Sequence, residues 1–532
     1  MITISLRYFH TIRHLKKSQI FYQVYYKTKL HKLFIGKRYG YGKGNIVRLD
    51  FKVYDLINSK GKLFGEGIFN FLNIEHKFAN KTDWNFKNNG KLWNYNLQYF
   101  DFLFDTSADK TYLEQLINEV SIEIIQGKLA LEPYPVSLRL INWILFHSKT
   151  GFMSDSMEKA IRIQIGFLKN NIEYHIQANH LVENFCSLVV SSYFLKDRHL
   201  FNSSSLKLMK AVREQILNDG SHYEGSPMYH QILLAKFLIL YEIELGQPFG
   251  DKTYVDLLRT TISKMVGWLK TIYFSNGSMP LLNDSILGIA TDFSTLISVA
   301  EKMKIDSTNK VFLDKCGYRC YNTSCYELLV DVGNILPSYQ PSHSHSDMLS
   351  FLLQVGGKMH IVDLGISTYQ SNERRNFERS TLAHNTVTVN GESQSDVWSS
   401  FRIGRRAKVI LQEDEPNSLC ACHDGYSRKY GVTHKRHFKI LDNKIVINDQ
   451  LNFSNNRLSN LSGEFRMYFD HTIKVEELDN GVKAGDIWVT FEKAGEWSLV
   501  KYQQPLGYNK FDESTYLIIK FNGEVITTLQ VQ

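Results

Sequence analysis

The chain reads as an α+β protein whose two kinds of secondary structure are segregated, an all-α unit followed by an all-β unit. Three observations carry that reading. From about residue 92 to 305, apolar residues recur at i, i+3 and i+4, the period of amphipathic helices. From about 317 onward, short runs of β-branched and aromatic residues between turn signals take over. A block of helices followed by a block of strands gives separate units rather than an interleaved parallel sheet, and 532 residues exceed one typical domain. The expected division is 1–90 as a mixed leader, 91–312 as a helical domain and 313–532 as an antiparallel β-sheet domain.

In the leader, glycines from Gly40 to Gly44 and from Gly61 to Gly67 mark turns. Its basic, aromatic run from Arg7 to Lys17 is expected as a solvated helix face, with nucleic acid or an anionic membrane as the alternative readings. A helix over 136–146 follows Pro133 and Pro135, and others are expected near 157–169, 179–195, 204–218, 226–245, 253–274 and 284–303. Helices in such antiparallel pairs can close into a toroid. Strands are expected at 325–332, 348–355, 360–363, 385–391, 438–447 and 515–520. Asn390-Gly391 and Asp479-Asn480-Gly481 are hairpin turn signals.

Composition narrows the function classes. A hydrophobic share of 43% is ordinary for a globular chain; the 13% aromatic share suits a packed core first and a sugar-binding cleft second. The net charge of +8 is modest, compatible with an acidic polymer as substrate, and read first as solubility. The six cysteines form neither a Cys-x-x-Cys pair nor a disulfide framework. With no secretory h-region and no stretch of about 20 apolar residues, no membrane span is expected. A cytoplasmic location is the default and a periplasmic one the alternative. No phosphate-binding loop, dinucleotide fingerprint or nucleophile elbow is present.

The most informative residues are His343 and His345 in Pro341-Ser342-His343-Ser344-His345-Ser346-Asp347. In an extended segment, positions i and i+2 share a face, so the two rings would point one way, one to a metal and one to a substrate. Asp363 and His384, in strand-like settings downstream, would complete two imidazoles and a carboxylate, a set suited to zinc. In Asn179-His180-Leu181-Val182-Glu183-Asn184, Asn179 is a candidate N-cap, and His180 and Glu183 share a helix face. Taken alone, that run reads first as a cap with a surface pair and only second as catalytic. In Gly220-Ser221-His222-Tyr223-Glu224-Gly225-Ser226-Pro227-Met228-Tyr229-His230, Ser226 caps a helix that Pro227 opens. Tyr229 then lies in the first turn, where the positive helix end favours a phenolate; a buried, satisfied tyrosine is the bland alternative.

Taken together with Val362-Asp363-Leu364-Gly365 and Arg379-Ser380-Thr381-Leu382-Ala383-His384-Asn385-Thr386-Val387, these runs make the chain resemble the heparinase II/III-like polysaccharide lyases, relatives of the oligo-alginate lyases. The blocks stand in family order from about residue 90 to 400, while 1–90 and the last hundred residues carry little recognisable signal. The resemblance implies an incomplete (α/α) toroid followed by a stacked, β-sandwich-like antiparallel domain. It implies β-elimination at the 4-O-glycosidic bond of a uronic acid in an acidic polysaccharide or oligosaccharide. Asn179 and His180 would grip the uronate carboxylate, with Glu183 orienting His180. Tyr229 would protonate the leaving oxygen, and for some stereochemistries take the C5 proton. His343 would be the partner base or a carboxylate contact. Glu224 and Arg379 are carried as substrate-binding or orienting groups. His345, Asp363 and His384 match the family's ligands for one divalent metal, expected to be zinc in a structural role. Serines stand at 344 and 346 where the family motif commonly has alanine. A non-catalytic glycan-binding or assembly factor on the same fold, and a metal-dependent hydrolase acting at His345, are the competing readings.

Overall fold

The computed structural model describes residues 2–28, 40–57, 61–65, 67–306, 311–454 and 461–532. Its helical part is two concentric arcs. The inner arc runs through Lys91–Tyr99, Pro133–Thr150, Ala178–Phe194, Pro227–Gly246 and Phe293–Lys302, each packed on the next. The outer arc is Lys110–Ile125, Asp155–Asn170, Arg198–Gln215 and Lys252–Ile272. This is an incomplete (α/α) toroid. The central inner helices Pro133–Thr150, Ala178–Phe194 and Pro227–Gly246 are buried nearly all round and carry apolar residues on most sides, whereas Asp155–Asn170 keeps a charged outer face.

The period changes between Lys302 and the strand Tyr318–Asn322. Beyond it, the described residues form an eight-stranded, two four-stranded and one two-stranded sheet, all antiparallel. One four-stranded sheet pairs Tyr318–Asn322, Tyr326–Asp331, Phe351–Val355 and Lys358–Ile361 in sequence order. The sheets share a single core in which Leu328, Phe351, Phe438, Phe465 and Leu517 meet. Asn390 and Gly391 both take positive φ, 53° and 68°, as a tight hairpin turn requires. The expected strand at 438–447 is instead a hairpin, Val432–Leu441 and Lys444–Phe453, in full register.

The leader is not a separate unit. A three-stranded sheet, Gly61–Leu63, Ile68–Phe71 and Ile74–Lys77, sends Phe69 and Phe71 into the same core as the toroid helices. The helix expected over 284–303 starts only at Phe293. Residues 283–286 form a loop that stitches the two halves together. Ser226 Oγ donates to the Asp284 carbonyl at 2.7 Å, and the Asp284 N–H donates to the His343 carbonyl at 3.0 Å. Gly365 sits so close that a Cβ there would lie 2.2 Å from the Ser285 carbonyl oxygen, and its φ of +56° is one a side chain resists.

Candidate active site

Three runs of sequence converge where the inner helices' N-termini meet the β domain. Tyr229 lies one turn into its helix, where the Ser226 hydroxyl accepts from the Tyr229 N–H at 3.2 Å, the cap that Ser-Pro foretold. Its ring lies over that of His343, centroids 4.0 Å apart, and its hydroxyl is 2.9 Å from that of Tyr369. Burial pushes the Tyr229 phenol well above its ordinary pKa; the bond to Tyr369 works the other way, and nearby Asp284 and Glu224 add to the rise. Of the two readings of Tyr229, burial favours the neutral phenol, because desolvation outweighs the helix field.

His343 and His345 do not lie on a strand, which begins only at Phe351. The irregular run nonetheless brings both rings to one carboxylate. Asp284 accepts from His343 Nδ1 at 2.7 Å through one oxygen and meets His345 Nε2 at 2.8 Å through the other. Arg375 clamps the same carboxylate with two bonds of 2.5 and 2.7 Å. Burial alone would raise the Asp284 pKa, but Arg375 and the two histidines hold it well below the carboxylate range. An ionised Asp284 fixes the His343 proton on Nδ1 and leaves Nε2 as an acceptor. Burial lowers the His343 pKa against the pull of Asp284, so the ring is neutral and basic at Nε2. That nitrogen faces Glu224 Oε1 at 3.7 Å. Glu224 is buried between His343 and His222, and burial pushes its carboxyl up to about 8, with a smaller contribution from Asp284.

Across the site, His180 and Asn179 start the helix Ala178–Phe194. Asn179 is not the cap: Gln177 is, with φ 66°. Asn179 Oδ1 is buried without a hydrogen-bond partner. The carboxylate that holds His180 is Glu173, 3.0 Å from Nδ1, which also accepts from Asn184 at 3.0 Å. Tyr134 stacks on His180 at 4.1 Å. The orienting role assigned to Glu183 thus belongs to Glu173, while Glu183 lies 4.0 Å from Lys236. His180 is close enough to His343 for its charge to lower the latter's pKa.

Arg379 is also reassigned. It is fully buried and donates to the carbonyls of Ser344 at 3.1 Å and Ser399 at 3.2 Å. Its fork shapes the loop bearing His343 instead of meeting substrate. For the metal expectation, the rings of His345 and His384 lie 5.3 Å apart, with His345 Nδ1 and His384 Nε2 buried and unpartnered. Asp363 accepts from His384 Nδ1 at 2.6 Å. Two free imidazole nitrogens and that carboxylate are a donor set whose chemistry fits zinc. Among the described residues no three such groups converge as a ready cage.

Sequence reasoning missed Asp284, Arg375, Tyr369 and Glu173. The first three lie in runs with no local chemical pattern, and Glu173 precedes the helix whose periodicity drew attention to Glu183.

Comparison with known proteins finds both halves of a family. The model of the heparinase II/III N-terminus matches residues 148–310, and that of the heparinase II/III-like C-terminal region matches 306–529. The second match takes in the last hundred residues, where the sequence motifs gave little signal. A heparin-sulfate lyase of Bacteroides stercoris is 23% identical over 381 residues, 63% of this chain and 53% of that protein. The chain therefore spans about half the length of that curated relative. The crystal structure of heparinase III superposes with a TM-score of 0.68 at 14% identity, covering 97% of this chain and 91% of that one. A mutant heparan sulfate lyase HepC from Pedobacter heparinus gives 0.56 at 16% identity, over 90% and 82%. At these identities the structures speak for the fold.

Proposed function

The chain belongs to the heparinase II/III-like family, and from that premise we propose that it is a polysaccharide lyase cleaving a uronic-acid-containing glycan by β-elimination. The observation that carries the reading is the close Tyr229–His343 pair, rings 4.0 Å apart and tilted by 30°, a neutral phenol that can give a proton beside a neutral imidazole that can take one. His343 Nε2 takes the C5 proton, the C4–O4 bond breaks as the C4–C5 double bond forms, and the Tyr229 hydroxyl protonates the leaving O4. The C5 proton is weakly acidic because it lies α to a carboxylate. Asn179 and His180 on the facing helix end neutralise that carboxylate and so stabilise the enolate-like transition state. Glu173 holds His180 for this task, and Asp284 with Arg375 holds His343.

Because acid and base lie side by side in ring contact, they approach the sugar from one face. That favours uronates whose C5–H and C4–O4 bonds share a face, as in glucuronate, over iduronate, in which they oppose. A zinc-type ion on His345, Asp363 and His384 would supply a fixed positive charge and a structural tie behind the His343 loop. The proton transfers above need only the protein's own side chains. The test is mass analysis of products from a panel of glucuronate-, iduronate- and mannuronate-containing polymers. Products carrying a double bond and no added water, formed first from glucuronate chains, support the reading. Saturated products would point to the metal-dependent hydrolase, and silence across the panel to the glycan-binding factor.

A further inference from the structure

The first 49 residues hold eleven lysines and arginines and not one aspartate or glutamate. The whole chain's formal charge is +8, so everything beyond residue 49 is net acidic and the positive charge is concentrated at one end. The described residues of this segment are two helices, Ile2–Ile12 and Lys17–Lys27, with the turn between them, and an irregular stretch over 40–49. They are fastened by polar and ring contacts to both halves of the fold. On the first helix, Arg7 pairs with Asp396 at 2.9 Å and Tyr8 packs edge-on to Trp398 at 5.0 Å. Lys16, at the joint, pairs with Glu214. On the second, Tyr22 stacks on Tyr174 at 4.6 Å and the Tyr26 hydroxyl donates to the Ile172 carbonyl at 2.6 Å.

With those contacts made, the outward face is the wrong one for water. In the second helix, Lys17, Ile20, Phe21, Val24 and Lys27 fall at i, i+3, i+4, i+7 and i+10, a single stripe, and all five are exposed. Phe21 is 62% and Val24 55% exposed, while the polar Gln19 is buried on the inner side. The first helix adds Phe9, 61% exposed, and Ile12, with Arg13 beside them. An apolar stripe bracketed by cations is the pattern of a helix lying in the plane of a bilayer interface. Exposed Ile20 and Val24 offer nothing to a nucleic acid or a glycan, which are met by cations, hydrogen bonds and stacking rings. Apolar area combined with positive charge meets an acidic lipid surface on both counts.

We propose that the two N-terminal helices form a peripheral docking surface for an anionic membrane. The inner side of the helices lies against the segment that carries Glu173 and the short strand Val397–Trp398, so docking of the outer face would hold that side of the fold near the bilayer. The reading stands apart from the lyase assignment and does not depend on it.

The test is co-sedimentation of the full chain with vesicles of phosphatidylcholine alone, or with about one third phosphatidylglycerol. The chain should pellet with the acidic vesicles at least tenfold more strongly than with the neutral ones. Raising the salt to about 0.5 M should weaken the binding. The double variant Phe21→Glu, Val24→Glu should abolish it while circular dichroism and melting stay unchanged. Should that variant misfold, Lys17→Glu with Lys27→Glu, both solvent-facing, tests the charge component alone. Absence of pelleting with either vesicle overturns the proposal. So does binding to acidic vesicles that the first double variant leaves intact, or equally tight binding of wild type and variant to a soluble polyanion such as DNA.

Discussion

The two candidate catalytic histidines are held in opposite ways. His180 keeps 27% of its side chain exposed, leans on Tyr134 and has one carboxylate, Glu173, at 3.0 Å. His343 is 8% exposed, and its carboxylate, Asp284 at 2.7 Å, is itself fixed by Arg375 and shared with His345. The contrast suits their tasks. A group that grips a substrate carboxylate has to meet a ligand arriving from water and can adjust to it. A base that must stand at a fixed place relative to its acid gains from a rigid, preorganised setting.

Breaking the rigid side should have the largest effect. Asp284→Asn leaves Arg375 buried without its counter-charge and frees the His343 proton to change nitrogen. Unfolding stability should fall by about 3–5 kcal/mol, seen in denaturant titration, and kcat by at least about 100-fold with KM little changed. The open side should respond less. Glu173→Gln keeps the shape and weakens only the hold on His180, so kcat/KM should drop about tenfold, mainly through KM. Equal losses from the two variants would dissolve the contrast.

A third, smaller effect sharpens the picture of the ground between the histidines. Burial pushes Glu224 from an ordinary 4.5 up to about 8. The folded chain therefore keeps a proton that the unfolded chain releases above its ordinary pKa. The stability this gives is complete below about pH 4.5 and is lost as the pH climbs toward 8. Glu224→Gln should flatten the decline of unfolding free energy between pH 5 and 8, read by denaturant titration, by on the order of a few kcal/mol at most. An unchanged pH slope would mean that Glu224 is ionised in the fold.

These contrasts also mark how far the sequence could be read. The helix-to-strand switch and the Ser226-Pro227 cap are local patterns, and their chemistry is written within a few residues. Asp284 is not legible that way: its partners lie 59, 61 and 91 residues along the chain, and it sits in what looked like the start of a helix. Helical spacing pointed His180 to Glu183, yet the preceding loop folds back to supply Glu173 seven residues upstream. For Tyr229 the helix-end field and burial pull in opposite directions, and only the packed fold shows that burial is the larger.

The central claim is that Tyr229 and His343 act as one acid–base pair in an elimination. Its most direct test follows the ultraviolet band of the unsaturated uronate during cleavage of a glucuronate polymer by wild type and by Tyr229→Phe. The account predicts a steady rise for wild type and a rate lower by about 100- to 10,000-fold for the variant, with KM and melting temperature preserved. Near-wild-type turnover in Tyr229→Phe, or cleavage by wild type without the band, would contradict it.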